Sequence, residues 1–340
     1  MRRMRQVWIT KAGPPEVLEV REAPDPVAGE GQLRVRVRAA GINFADLMAR
    51  MGLYPDAPKL PCVVGYEVSG VVDQVGAQVT GFAEGDRVFA MPRFGGYTDT
   101  LIVPAAQAVR MPDRMSFEEA AALPVTYLTA HTMMFFQGNV REGSHVLIHS
   151  AAGGVGIAAM QLARTRRCTI YGTASPSKHD TLRAHGCHHP IDSRGDVAAA
   201  VRAICGDRGL DLVLDPVGGP SWKAGFELLR PCGRLVCFGM SSAASGTTRN
   251  LVHALLSLLR VKKFSPLELM DQNKTVTGCN MGHLFDHLEL LAPQFAELLA
   301  LWEKGAIAPH VDRTFSFDEA PAAHQYLHDR KAIGKVLLVP

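Results

Sequence analysis

His145-Val146-Leu147-Ile148-His149-Ser150-Ala151-Ala152-Gly153-Gly154-Val155-Gly156 is a short apolar run that breaks into small residues before an apolar helical pattern resumes. The run predicts a buried strand over 145–149, and the pattern after it predicts a helix over 155–166. Strand, tight turn and helix in that order make the phosphate corner of a dinucleotide fold. Small residues let the backbone approach a pyrophosphate, and unpaired N–H groups with the helix dipole hold the anion. The usual spacing is G-x-G-x-x-G; here Ala151, Gly153 and Gly156 give A-x-G-x-x-G. By composition alone such a loop is also an ordinary tight turn. Its place between a strand and a helix makes Ala151, Gly153, Gly154, Val155 and Gly156 candidate cofactor residues. No G-x-x-x-x-G-K-[ST] is present, which argues against a P-loop kinase or GTPase.

Outward from this loop the chain keeps one rhythm. Strands are predicted at 169–173, 210–215, 233–239 and 275–279, with helices at 177–185 and 222–229. Alternating strands and helices mean βαβ units and a parallel sheet. A helix over 288–304 and a last strand over 335–339 follow. The first third reads differently, with short strands at 7–10, 32–39, 66–75, 87–90 and 97–103 between Gly and Pro clusters. Ser116-Phe117-Glu118-Glu119 is a capping box that opens a helix running to Gly138. The expected fold is therefore α/β: a β-rich part and a doubly wound parallel sheet.

About 20 residues beyond the loop, an NAD site carries an acid for the ribose 2′-OH. The second strand ends instead in Gly172-Thr173-Ala174-Ser175-Pro176-Ser177-Lys178, without an acid. Two hydroxyls and a lysine suit a 2′-phosphate, so the expected cofactor is NADPH. Ser175 and Ser177 also suit capping of the next helix, and both roles can hold together.

The 340 residues imply roughly two domains. A net charge of +3, with its charges scattered, gives no footprint for nucleic acid. Seven cysteines without a Cys-x-x-Cys fit buried thiols in a reducing cytosol, so the expected location is cytoplasmic. Met1-Arg2-Arg3-Met4-Arg5 is basic, but no apolar stretch follows it as in a secretory signal. The most apolar stretch, 120–136, contains Pro124, Thr126, Thr129, His131 and Thr132 and reads as a buried helix, not a membrane span.

Several motifs occur in order: Gly41-Ile42-Asn43-Phe44-Ala45-Asp46, Gly52-Leu53-Tyr54, Gly65-Tyr66-Glu67, Gly85-Asp86-Arg87-Val88 and the small-residue loop. Together they resemble the zinc-independent medium-chain dehydrogenase/reductases of the zeta-crystallin, or NADPH:quinone oxidoreductase, type. Over 249–285, Ser265-Pro266-Leu267-Glu268-Leu269 and Gly278-Cys279-Asn280-Met281-Gly282 are similar to the vesicle amine transport protein branch. The resemblance implies a GroES-like catalytic domain from 1–124 and 283–340. It also implies a Rossmann NADPH-binding domain over 125–282 inserted in it, a cleft between the two, and usually a homodimer. Carried over by motif, Asn43, Asp46 and Tyr54 line the nicotinamide end. Thr129 places a hydroxyl near the carboxamide, and Phe238, Gly239 and Met240 lie beside the nicotinamide ribose. Ser175, Lys178 and Arg330 take the 2′-phosphate. Ser193 stands where the family often has a Tyr that completes this phosphate site, which weakens the expected selectivity for NADPH.

Zinc members of the superfamily place a Cys near position 43 and a His at position 66. Asn43 and Tyr66 are poor zinc ligands beside thiolate and imidazole, so no metal is expected. Cys187-His188-His189 is the densest cluster, and adjacent side chains on extended chain point apart. No G-x-S-x-G elbow occurs, which disfavours a serine hydrolase. Without a Lewis acid the suited reaction is reduction of an activated acceptor, a quinone or an α,β-unsaturated carbonyl. Tyr54 and Asn43 are the candidate donors to the developing oxyanion, and Asp46 orients them. Tyr54 also reads as an aromatic that only lines the cleft. Two alternatives remain: an enoyl-thioester reductase, and a nucleotide-regulated protein that holds a lipid or partner.

Leu251, Leu255, Leu258 and Leu259 recur at helical spacing, with Arg249, Arg260, Lys262 and Lys263 around them. Such a stripe most often faces a core, and that is the expectation for 249–264. Contact with an anionic membrane, a substrate or a second subunit is the alternative.

Overall fold

The computed structural model describes residues 3–244 and 251–340. Its centre is a six-stranded sheet in the order His189–Asp192, Thr169–Ala174, His145–Ile148, Leu210–Asp215, Leu229–Cys237 and Thr275–Gly278. Every neighbouring pair is parallel. Helices such as Gly154–Thr165 and Pro220–Leu228 make the crossovers. The strands are apolar on both faces because helices cover both; Val146, Leu147, Ile148, Leu212, Val213 and Leu214 are all buried.

A second, seven-stranded sheet runs Val311–Ser316, Lys335–Val339, Gln32–Ile42, Val68–Val75, Arg87–Ala90 and Ala108–Arg110, with Thr100–Pro104 paired to Gln32–Ile42. It is antiparallel except where Val311–Ser316 meets Lys335–Val339. The chain thus leaves this sheet, builds the parallel one, and returns. One apolar core joins the two. It runs from Phe89 and Met91 through Leu123, Leu128 and Met133 to Ile148 and Ile157.

Three expectations need correction. The helix from Ser116 to Gly138 is three pieces: Phe117–Ala122, Pro124–His131 and a π-helical turn Thr132–Gln137. Pro124 has no N–H to continue the first piece, and it sits at the opening of the second, where that group has no partner in any case. The strand His189–Asp192 went unread because Pro190 breaks its pattern. It lies at the sheet edge, where proline is tolerated. The third correction concerns 249–264. Arg249 lies outside the described residues, but Leu251–Leu259 is a helix. Leu255, Leu258 and Leu259 are 58%, 57% and 73% exposed, and Val252 and Leu256 are exposed as well. Leu255, Leu256, Leu258 and Leu259 are thus not turned to the core.

Candidate active site and dinucleotide cleft

The small-residue loop leaves the strand His145–Ile148 and enters the helix Gly154–Thr165, whose N-cap Gly153 has extended backbone and offers no side-chain cap. The first N–H groups of that helix are left for an anion. The left-handed position falls on Ser150 (φ 53°), not on the glycines. Those are glycines for lack of room. A Cβ on Gly156 would lie 2.5 Å from the Ala151 carbonyl oxygen, and one on Gly154 would meet Thr126 at 2.9 Å. Gly153 differs, since a Cβ there meets only the Ser150 oxygen at 3.4 Å. Ala151 is buried and donates its N–H to Thr173 O at 2.9 Å, so the missing first glycine leaves the turn intact.

At the same end of the parallel sheet as the loop, beyond the strand Thr169–Ala174, the expected phosphate residues converge. Ser175 and Ser177 hydroxyls lie 3.2 Å apart. Ser193 donates its N–H to Ala174 O, which brings the exposed end of the next strand alongside. Lys178 Nζ donates to the carbonyls of Arg330 and Ala332 at 2.7 and 2.6 Å. The lysine therefore clips the exposed Arg330 loop to the nucleotide side, and desolvation lowers its pKa from the usual lysine range. Phe238, Gly239 and Met240 are half-buried at the end of the strand Leu229–Cys237. Phe238 is tied to Asp215 O, and Ser241 just beyond to Pro216 O. Thr129 is buried in the helix Pro124–His131.

Asn43 precedes the helix Phe44–Arg50. Its main-chain N–H donates to Asp46 Oδ2 at 2.8 Å. Asp46 is fully buried; Gly65 N–H donates to its Oδ1 at 3.1 Å and the Tyr97 hydroxyl to its Oδ2 at 3.1 Å. The Tyr97 hydroxyl also meets His324 Nε2 at 3.2 Å. Both oxygens of Asp46 are thus engaged beneath Asn43, and the geometry suits orientation, not proton transfer. Burial pushes the Asp46 carboxyl up to about 7, and burial near Arg50 drops His324 to about 3. Between about 4 and 7 the folded chain holds a proton at Asp46 that the unfolded chain has lost. Asp46 by itself then lowers stability as pH rises through that window, in full by roughly 4 kcal/mol, while His324, neutral in the fold and protonated in the unfolded chain, raises it from about 3 to 6.5. In thermal unfolding followed from pH 5 to 8 the two slopes oppose one another up to about 6.5, and Asp46→Ala should gain stability relative to the wild type as pH rises. An unchanged slope in the variant would assign the pH dependence to other groups.

Sequence reading passed over Lys335 as a site residue and quoted Glu67 without a role. Both are buried beside Asn43. Lys335 Nζ contacts Glu67 Oε1 and donates to Asn43 Oδ1 at 2.6 Å, while Asn43 Nδ2 donates to Glu67 Oε1 at 3.0 Å. The signal was there: a lysine and a glutamate, each at the edge of an apolar strand run. Gly334, next to Lys335, pairs with Gly153 and donates its N–H to Ala152 O at 2.8 Å. The small-residue loop and Asn43 therefore share one cleft.

Aromatic rings line the other wall. Tyr66 packs against Tyr54, Phe94 and Phe285 with centroids 6.5, 5.2 and 6.3 Å away. Burial raises the pKa of Tyr54 and of Tyr66. Beyond Tyr54, Asp56 receives hydrogen bonds from Asn280 at 3.3 Å and His283 at 2.8 Å, tying the two sheets' segments across the mouth. Among the described residues, no group of three His, Cys, Asp or Glu side chains is placed to hold a metal, and no helix is long and apolar enough to cross a membrane.

This architecture, a mixed sheet beside a doubly wound parallel sheet with a glycine loop at the junction, has named relatives. Residues 29–113 match the alcohol dehydrogenase GroES-like domain family, and 185–338 match the zinc-binding dehydrogenase family. The chain belongs to the medium-chain dehydrogenase/reductase superfamily, and within it to the branch of quinone oxidoreductases and VAT-1 homologues. It is 43% identical to the human synaptic vesicle membrane protein VAT-1 homolog, over 95% of this chain and 82% of that protein. It is 34% identical to a quinone oxidoreductase of Pseudomonas aeruginosa, over 99% of both. The structure of Escherichia coli quinone oxidoreductase complexed with NADPH superimposes with a TM-score of 0.88 at 30% identity, covering 99% of this chain and 100% of that one.

Proposed function

We propose that the chain is an NADPH-dependent oxidoreductase whose acceptor is a quinone or an α,β-unsaturated carbonyl. The observation that carries this is the joint placement of the uncapped loop helix and the Asn43 amide, linked through Gly334 and Lys335. The residues present fit the cofactor. Gly153 leaves open space at the helix N-terminus, and Ser175, Ser193, Lys178 and Arg330 gather where a 2′-phosphate would lie. When bound, NADPH supplies the hydride. The chain's part is to align an acceptor within about 3–3.5 Å of it and to donate hydrogen bonds as charge reaches the acceptor oxygen. Asn43 and Tyr54 are the proposed donors, and the Tyr66, Phe94 and Phe285 rings suit a flat acceptor. The donor set at positions 43 and 66, an amide and a phenol, is foreign to zinc, and the proposed reaction is metal-independent.

A second function is favoured by a separate observation. The exposed leucines of the helix Leu251–Leu259, with Arg260, Lys262 and Lys263 at one end, suit contact with an anionic membrane. One experiment separates the functions: a panel of quinones, free enones and enoyl-CoA esters with NADPH, followed by loss of its absorbance, beside co-sedimentation with phosphatidylserine vesicles. Turnover of quinones or free enones, undiminished by chelators and with well under one zinc per chain, is expected. No turnover with any acceptor, together with salt-sensitive vesicle binding, would replace the enzyme by a lipid-binding protein. Preference for the CoA esters would make it an enoyl-thioester reductase.

A further inference from the structure

Lys335 and Glu67 are a charged pair taken almost wholly out of water, with side chains 4% and 0% exposed. Removing two charges from water costs several kcal/mol each, and apolar replacements of such pairs are often as stable or more so. Stability is therefore a weak reason for this pair to be here. Its contacts supply a better one. The ammonium faces Asn43 Oδ1, and the carboxylate oxygen that it also contacts accepts from Asn43 Nδ2. Turning the amide over would set its NH2 against the ammonium and its oxygen against the carboxylate. The pair thus permits one of the two amide orientations. It leaves the second hydrogen on Nδ2 outside the contact with Glu67.

The surroundings hold the pair itself. Glu67 Oε2 accepts the N–H of Val125 at 2.7 Å, in the first turn of the helix Pro124–His131, where the dipole favours an anion. A Cβ on Gly41 would lie 2.6 Å from Glu67 Oε1 and 2.7 Å from Lys335 Cε, so the pair rests directly on the strand that leads to Asn43. Lys335 N–H donates to His310 O at 2.8 Å.

We infer that Lys335 and Glu67 are positioning residues that lock the Asn43 amide in one orientation and polarise it as a donor to the acceptor oxygen. The inference rests on the proposed oxidoreductase activity. A cation on the amide oxygen draws electron density from its nitrogen, and hydrogen bonds linked in series strengthen one another. Such a donor acts most where charge develops in the transition state.

The test is the double variant Glu67→Gln/Lys335→Met, which removes both charges together and leaves no lone buried ion. Asn43→Ala and the triple variant complete a cycle. With NADPH and a quinone that the wild type reduces, the double variant is expected to lose about 10- to 100-fold in kcat, less than the roughly 100- to 1,000-fold for losing a preorganised donor outright, since Asn43 itself remains. Its NADPH affinity, read by fluorescence titration, should stay within about 3-fold, less than the loss of one charge-assisted contact. In the Asn43→Ala background the two substitutions should cost nothing more. Wild-type kcat in the double variant, losses that multiply in the triple variant, or a loss confined to NADPH affinity would each overturn the inference. Should the double variant fail to fold, Glu67→Gln alone decides by the same readouts, since its amide oxygen can still accept from Val125. A wild type that reduces no acceptor would sink the oxidoreductase function, and this inference with it. An active wild type with an unaffected variant would sink the inference alone.

Discussion

Gly153→Ala is expected to unfold within about 1 kcal/mol of the wild type and yet to bind NADPH about 10- to 100-fold more weakly. The two halves have different causes. Gly153 has φ −79° and ψ 169°, a conformation alanine adopts freely, and its added methyl meets only the Ser150 oxygen at 3.4 Å. The fold has room for that methyl; a pyrophosphate on the helix N-terminus does not. Displacing it forfeits at least one charge-assisted hydrogen bond, about 1.5–3 kcal/mol. Gly156→Ala makes the control. Its methyl would lie 2.5–2.6 Å from the Ala151 carbonyl and Cα, which are backbone and cannot swing away. That variant should lose both stability, by about 1–3 kcal/mol, and binding. Calorimetry and fluorescence titration separate the cases, and wild-type affinity in Gly153→Ala would move the phosphates off this loop.

Lys178→Ala should erase most of the preference for NADPH over NADH, by about 10- to 100-fold in kcat/KM with NADPH. Arg330→Ala should do less. Arg330 supplies only its own charge, whereas Lys178 supplies a charge and also holds the carbonyls of residues 330 and 332. Losing Lys178 frees the loop that carries Arg330, so the double variant should be little worse than Lys178→Ala. Multiplying losses would show that the two cations act independently. NADH kinetics should change little in all three, and equal efficiency with both nucleotides in the wild type would refute the phosphate site.

What could be seen in the sequence and what could not divide along one physical line. The small-residue loop was legible because strand, turn and helix are contiguous, and local geometry alone requires its small side chains. The same holds for the capping box at Ser116, where Ser116 and Glu119 exchange hydrogen bonds at 3.1 and 3.0 Å. Lys335 and Glu67 each carried a signal, but their joining beneath Asn43 was not legible, because Lys335 lies 292 residues away in sequence and only strand pairing brings it back. Helix spacing at Leu251–Leu259 correctly marked a helix. Spacing reports that a face is apolar, not what covers it, and here the face is open. Tyr97 and His324, which support Asp46, carried no signal in the sequence; the fold alone brings them edge to face, with centroids 5.9 Å apart.

The hydrogen bonds of Asp56 with Asn280 and His283 bear on how a substrate of the proposed reaction would enter and leave. The partners are exposed, and ties of this kind in water contribute at most about 1 kcal/mol. At the opposite end the single main-chain bridge between Gly153 and Gly334 is backed by a buried ammonium and carboxylate. Thermal agitation breaks the first set readily and the second rarely. The proposed reaction would thus take place in a clamshell, stiff at its back and loosely latched at its lip, whose ties at Asp56 would part first.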